Sequence, residues 1–163
     1  MGHRANFIII RNGVAKAYYD QWAALGCVYT FAAGPEEACA AAEQMEPTTE
    51  LMDWAFAEGG YLLDFDQYKA IGFGYPDDIG EFEDLDCQEV DEVLALQEIN
   101  AAFERSSLDF LQHIVPHWTG WLLEWDDRGV DAFAAHLRSR GITTILTQVD
   151  SYPPDSKVVT YQA

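Results

Sequence analysis

NFIIIRNGVAKAYYDQW, residues 6–22, carries the reading that decides the fold. Phe7–Ile10 is apolar at every position, so a strand there must be covered on both faces. Asn12-Gly13 follows it, and both residue types tolerate the positive φ that a two-residue hairpin turn demands. In AKAYYDQW, Lys16, Tyr18, Asp20 and Trp22 share one face of a strand, and Ala15, Ala17 and Tyr19 share the other. Two strands, 6–13 and 15–22, are therefore expected to pair antiparallel through Asn12-Gly13.

Working outward, CVYTF at 27–31 reads as a third strand. Gly34-Pro35-Glu36-Glu37 reads as a helix start, with Ala38, Ala41, Ala42 and Met45 at helical spacing and Pro47 as the stop. Thr48 or Thr49 then caps a second helix carrying Leu51, Met52, Ala55 and Phe56, ended by Gly59-Gly60. YLLDFD and KAIGFGY, joined at Gln67-Tyr68, read as a second hairpin. Residues 77–92 form an acidic segment that runs into a helix over Val90, Val93, Leu94, Leu96, Ile99 and Phe103. Ser106 with Asp109 has the form of an N-terminal cap, so that helix breaks and restarts there. WTGWLLEW at 118–125 reads as a strand, Val130–Leu137 as a helix ending at Gly141, and ITTILTQV as a strong final strand. Pro153-Pro154 opens a polar tail, 151–163, in which VVTY pairs at a sheet edge. Strands and helices are grouped rather than strictly alternating. The expectation is an α+β fold as one domain over 1–163, with an antiparallel sheet built from hairpins and three to five packed helices.

Charge narrows the function. Acidic residues number 28 against 9 basic ones, a formal net charge of -19. That field repels nucleic acid and anionic membrane surfaces, and it steers a basic partner inward. Cys27, Cys39 and Cys87 are odd in number and contain no CxxC, which disfavours a disulfide framework and fits a reducing compartment. The apolar run at Phe7–Ile10 is too short for a signal-peptide core, and no stretch approaches the roughly 20 apolar residues of a membrane span. A cytoplasmic location and no membrane association are expected.

Motifs for chemistry are missing from the sequence. GxSxG, GxGxxG and GxxxxGK[ST] do not occur. His113 and His117 have zinc-ligand spacing, but Pro116 interrupts a helix between them and no third ligand lies nearby. Neither DFDQYKAIGFG nor DDIGEFEDLDCQE follows the register of a calcium loop. No catalytic residue, metal or cofactor is assigned. His3, Arg4 and Asn6 place recognition-capable side chains just ahead of a buried strand, but the leading reading of them is a strand entry with Asn6 hydrogen-bonding local backbone.

The opening HRANF, the NG hairpin, YYDQW and the later WTGWLLEWDDRGVDAF resemble a family of uncharacterised small bacterial proteins with an N-terminal HRAN segment and a YYxxW strand. The resemblance implies a bacterial single-domain protein and no assigned site.

These readings point to an acidic protein-binding module. Its most concrete form is a bacterial immunity protein that occludes a basic toxin domain. Glu81, Glu83, Asp84 and Asp86 would pair with partner Lys and Arg, with Tyr18 and Trp22 as aromatic anchors. An enzyme or small-ligand protein with an unrecognised site, using acid pairs or His3, is the alternative. A regulatory accessory domain is the third reading. Oligomeric state is not encoded in these features.

Overall fold

The computed structural model describes residues 3–51, 57–75, 90–145 and 158–162. The first hairpin forms as expected. β1 (Ala5–Arg11) and β2 (Val14–Asp20) pair antiparallel from Ala5↔Asp20 to Arg11↔Val14. Asn12 and Gly13 adopt φ of 53° and 75°, the positive pair a tight hairpin turn needs. A remote carboxylate also holds the turn: Asp66 accepts hydrogen bonds from the amides of Asn12 at 2.7 Å and Gly13 at 2.8 Å.

Alternate residues of β1 enter two separate cores. Ala5, Phe7 and Ile9 pack with α1 (Cys27–Ala32), α2 (Pro35–Glu43) and α4 (Ser107–Ile114). Ile8 and Ile10 pack on the opposite face with α5 (Val130–Ser139). This two-sided burial is why the run is apolar throughout rather than alternating. The arrangement is three layers, helices on both sides of one sheet.

Among the described residues the remaining elements are β3 (Glu46–Thr48), β4 (Gly59–Asp64), β5 (Lys69–Phe73), α3 (Val90–Arg105), β6 (Leu122–Asp126) and β7 (Val158–Gln162). The seven strands lie in the order β3-β2-β1-β4-β5-β6-β7. β4 and β5 form the second expected hairpin, from Gly60↔Phe73 to Asp64↔Lys69. The expected all-antiparallel sheet is corrected: β1–β4 and β5–β6 are parallel, the other four pairs antiparallel. Parallel pairing needs a long crossover, and the stretch between β5 and β6, with α3 and α4, supplies one.

Three local readings also change. CVYTF is helix, not strand. The chain is already in a 3-10 turn at Ala23–Leu25, and Cys27, Val28, Phe31 and Ala32 make one buried helical stripe. Phe31 lies 4.9 Å from the ring of Trp118 and 5.6 Å from Trp125, so packing on the sheet overrides the β-forming bias of the run. WTGWLLEW is strand only from Leu122. A 3-10 turn at Val115–His117, containing Pro116, precedes it, and Gly120 turns at φ 86°. ITTI at 142–145 has no strand, and 146–150 lie outside the described residues. The edge beside β6 is instead taken by VVTYQ as β7. The expected helix over Leu51–Phe56 falls mostly on residues outside those described.

The restart at Ser106 is present. Ser106 Oγ accepts from the Asp109 amide at 3.0 Å and caps α4. Ser106→Ala is expected to cost about 1 kcal/mol, read as a lower urea midpoint with an unchanged slope.

Candidate functional site

β5 and β6 are adjacent and parallel, yet the chain leaves their carboxyl ends in opposite directions. From β5 it passes to α3 and α4 on one face; from β6 it passes to α5 on the other. Such a divergence opens a crevice at the strand ends, where α/β sheets bind ligands. A cavity of about 820 Å³ lies there, within the ordinary range for small-molecule sites.

Its walls are aromatic. Phe73 ends β5, Trp125 comes from β6, Phe103 from the last turn of α3, and Tyr75 from the segment after β5. Phe103 lies 6.1 Å from Tyr75 and 5.8 Å from Trp125, ring to ring, both edge-on. Tyr75 is 77% exposed, so its ring is available at the mouth. The polar groups come from sequence-distant places: His3, Glu58, Asp127 and Arg128, with Ser106 and Ser107 at the start of α4. His3 Nδ1 and Glu58 Oε2 are 2.8 Å apart, both half-exposed. Arg128, on the lining, is held by a buried acid. Its Nε donates to both oxygens of buried Asp126, at 2.9 and 3.0 Å, and its Nη2 donates to Asp126 Oδ2.

A second polar group occupies the opposite end of the sheet. Asp64, fully buried at the end of β4, accepts from His136 Nε2 at 2.8 Å and from Arg140 Nη1 at 2.6 Å through Oδ2. Its Oδ1 accepts from the amides of Asp66 and Gln67 at 3.0 and 3.1 Å. Arg140 Nη2 reaches on to Asp66 Oδ2 at 3.1 Å. Burial pushes the Asp64 carboxyl up, but the Arg140, His136 and Gln67 hydrogen bonds outweigh it and hold it below the usual carboxylate value. The Asp66 carboxyl is likewise held low by the Gly13 and Asn12 amides and by Arg140. With its acceptors filled, Asp64 has no capacity left for a substrate; the cluster ties the first hairpin turn, the β4–β5 turn and the end of α5 together.

The anticipated anchors separate. Trp22 is 56% exposed and its ring lies 6.3 Å from that of His3, beside the cavity. Tyr18 is 7% exposed and belongs to the core beneath α1 and α2, so it is a packing residue rather than an available anchor. Burial, reinforced by Glu43 and Cys39, pushes its phenol up. Glu81, Glu83, Asp84 and Asp86 lie outside the described residues. Of the opening HRAN, His3 reaches the cavity, while Asn6 is buried and donates to the Tyr18 carbonyl at 3.3 Å.

Cys27 and Cys39 are buried free thiols. Burial pushes each up to about 12, for Cys39 with help from its hydrogen bond to Glu43, so neither supplies a thiolate near neutral pH. His113 and His117 are exposed on α4 and in the 3-10 turn after it. Among the described residues no three His, Cys, Asp or Glu side chains gather as a metal-binding group, and no helix is long and apolar enough to cross a membrane. No family model, curated protein or solved structure matches this chain.

Proposed function

We propose that this chain is an acidic, cytoplasmic protein-binding module that captures a basic protein, most concretely a bacterial immunity protein that occludes a basic toxin domain. The observation that carries the reading is an unopposed negative field. The net charge is -19, and no Lys or Arg occurs anywhere from residue 17 to residue 68. Within that span Glu36, Glu37, Glu43, Glu46 and Glu50 are exposed along α2 and the edge strand β3. Several of the few cations are already spent internally: Lys69 on Glu124, Arg105 on Asp109, Arg128 on Asp126, and Arg140 on Asp64 and Asp66. Charges of one sign over a surface raise encounter rates with an oppositely charged partner by about 10–1000-fold at low salt. The bacterial setting comes from the HRAN and YYxxW resemblance.

The test takes as candidate partner any basic protein encoded beside this gene. Co-expression is expected to relieve its toxicity. The combined changes Glu81→Gln, Glu83→Gln, Asp84→Asn and Asp86→Asn are expected to leave folding intact and to slow association about tenfold at low salt. The difference should vanish as salt rises, because exposed charges are screened beyond about 10 Å at 0.1 M. Trp22→Ala is expected to leave stability within about 0.5 kcal/mol and to raise the dissociation rate. Equal association rates for the parent and the neutralised protein at low salt would remove residues 77–92 from the mechanism. Failure to bind any basic neighbour at any salt would overturn the proposal.

A further inference from the structure

We infer that the cavity at the carboxyl ends of β5 and β6 receives an arginine or lysine side chain presented by a loop of the basic partner. The inference rests on the partner reading above and adds to it a place and a chemistry. The cavity has the composition a desolvated cation prefers. Phe73, Tyr75, Phe103 and Trp125 line it, the Tyr75 ring is 77% exposed and can meet a cation, and Glu58 and Asp127 place carboxylates on the lining. Glu58 is fixed there by His3 at 2.8 Å. At about 820 Å³ the space exceeds one side chain, so a short loop enters with it. Trp22, exposed beside His3, offers that loop an aromatic contact outside the cavity.

An anionic guest is the competing chemistry, because α4 and α5 both begin at this cavity. Those helix ends are already compensated. Ser106 Oγ occupies the Asp109 amide, and Asp109 and Asp131 place carboxylates in the two first turns. Arg128 is chelated by Asp126. With the whole chain at -19, an anion would approach against the field, whereas a guanidinium approaches with it.

The experiment titrates the full chain with acetyl-Gly-Arg-Gly-amide and with its citrulline counterpart, which keeps the shape and loses the charge, following backbone amides by NMR. The arginine peptide is expected to shift the amides of Glu58, Gly74, Tyr75, Phe103, Ser107 and Gly129 saturably. The citrulline peptide should bind at least fivefold more weakly. Tyr75→Ala and Glu58→Gln should each weaken the arginine peptide about fivefold, with melting temperatures close to the parent, since both side chains are largely exposed. Equal binding of the citrulline peptide, shifts confined to residues elsewhere, or parent-like affinity in both variants would each overturn the inference. If the basic neighbour binds but Tyr75→Ala and Glu58→Gln bind it as the parent does, the cavity assignment falls and acidic capture stands. If the peptide fills the cavity and no basic protein binds, acidic capture falls, and the partner-loop assignment falls with it.

Discussion

Gly60→Ala is expected to lower the melting temperature by about 8–16 °C. Gly60 sits in β4 directly opposite Asn6 of β1, in a parallel pair, at φ 150°. A Cβ built there falls 1.9 Å from the Asn6 carbonyl oxygen, with the Asn6 C and N at 3.0 and 3.2 Å. All three are backbone atoms, so no side chain can rotate away. The strands cannot part freely either, because β1 is held by β2 on its other edge and β4 by β5. Positive φ costs a non-glycine residue about 1–3 kcal/mol, and overpacking costs about 1–3 kcal/mol more. Together that is about 2–6 kcal/mol, a large share of the roughly 5–15 kcal/mol that holds a small domain folded. For a chain of 163 residues a loss near 4 kcal/mol lowers Tm by about 8–16 °C. Gly26→Ala is the control: its φ is -110° and nothing lies within 4 Å of the added carbon, so it should melt within a few degrees of the parent. A Gly60→Ala protein that does the same would show that β1 and β4 are not paired in this register.

What was legible in the chain follows from the range of each signal. Asn12-Gly13 announced its hairpin because the turn's demand for positive φ is local. The unbroken apolar run of β1 announced a strand buried on both faces. Ser106 with Asp109 announced a helix start for the same local reason. Parallel pairing left no such mark: whether β6 returns beside β5 parallel or antiparallel depends on where α3 and α4 dock, not on any short motif. CVYTF misled because its β-branched and aromatic residues suit either a strand or a helix laid flat on a sheet, and only Trp118 and Trp125, far along the chain, decide between them. The cavity was illegible for a related reason. Its lining runs from His3 to Val159, and no spacing rule connects those positions. One further signal lies in α5. His136 lies three residues beyond Phe133 on the core-facing stripe of α5, and Arg140, which follows the helix as its C-cap, lies three beyond Leu137; polar groups so placed require a buried partner. Asp64, at the end of the apolar strand YLLD, was the nearest candidate of that kind.

Asp64→Ala is expected to destabilise by about 3 kcal/mol or more, because breaking a buried pair leaves its partner charges and donors without an acceptor. His136 would be left buried, while Arg140 would keep only Asp66. The amides of Asp66 and Gln67 would lose the oxygen that closes the β4–β5 turn. That turn carries Asp66, which in turn holds the Asn12 and Gly13 amides, so the first hairpin should loosen as well. Asp64→Asn keeps an acceptor for the two amides and loses the charge, so its cost should be smaller. The pH dependence separates the charge from the packing. The folded carboxyl of Asp64 lies below its ordinary value of 3.8, so the unfolded chain binds its proton first as pH falls. Its contribution is therefore fully present above the ordinary carboxylate value and is lost over the interval below it, as pH falls through the lowered folded value. The parent's urea midpoint should decline steeply over that interval. In Asp64→Asn the decline should be shallower, and the two curves should converge at the acid end. Arg140→Ala removes a hydrogen-bonded cation from the same carboxyl, so its folded value should rise toward the ordinary one and the acid decline should become shallower than the parent's. If Asp64→Asn and the parent instead run parallel from neutral pH down to the acid end, the buried carboxylate is not a source of the acid lability, and the Arg140 bonds seen at 2.6 and 3.1 Å position the turn without charge-dependent stabilisation.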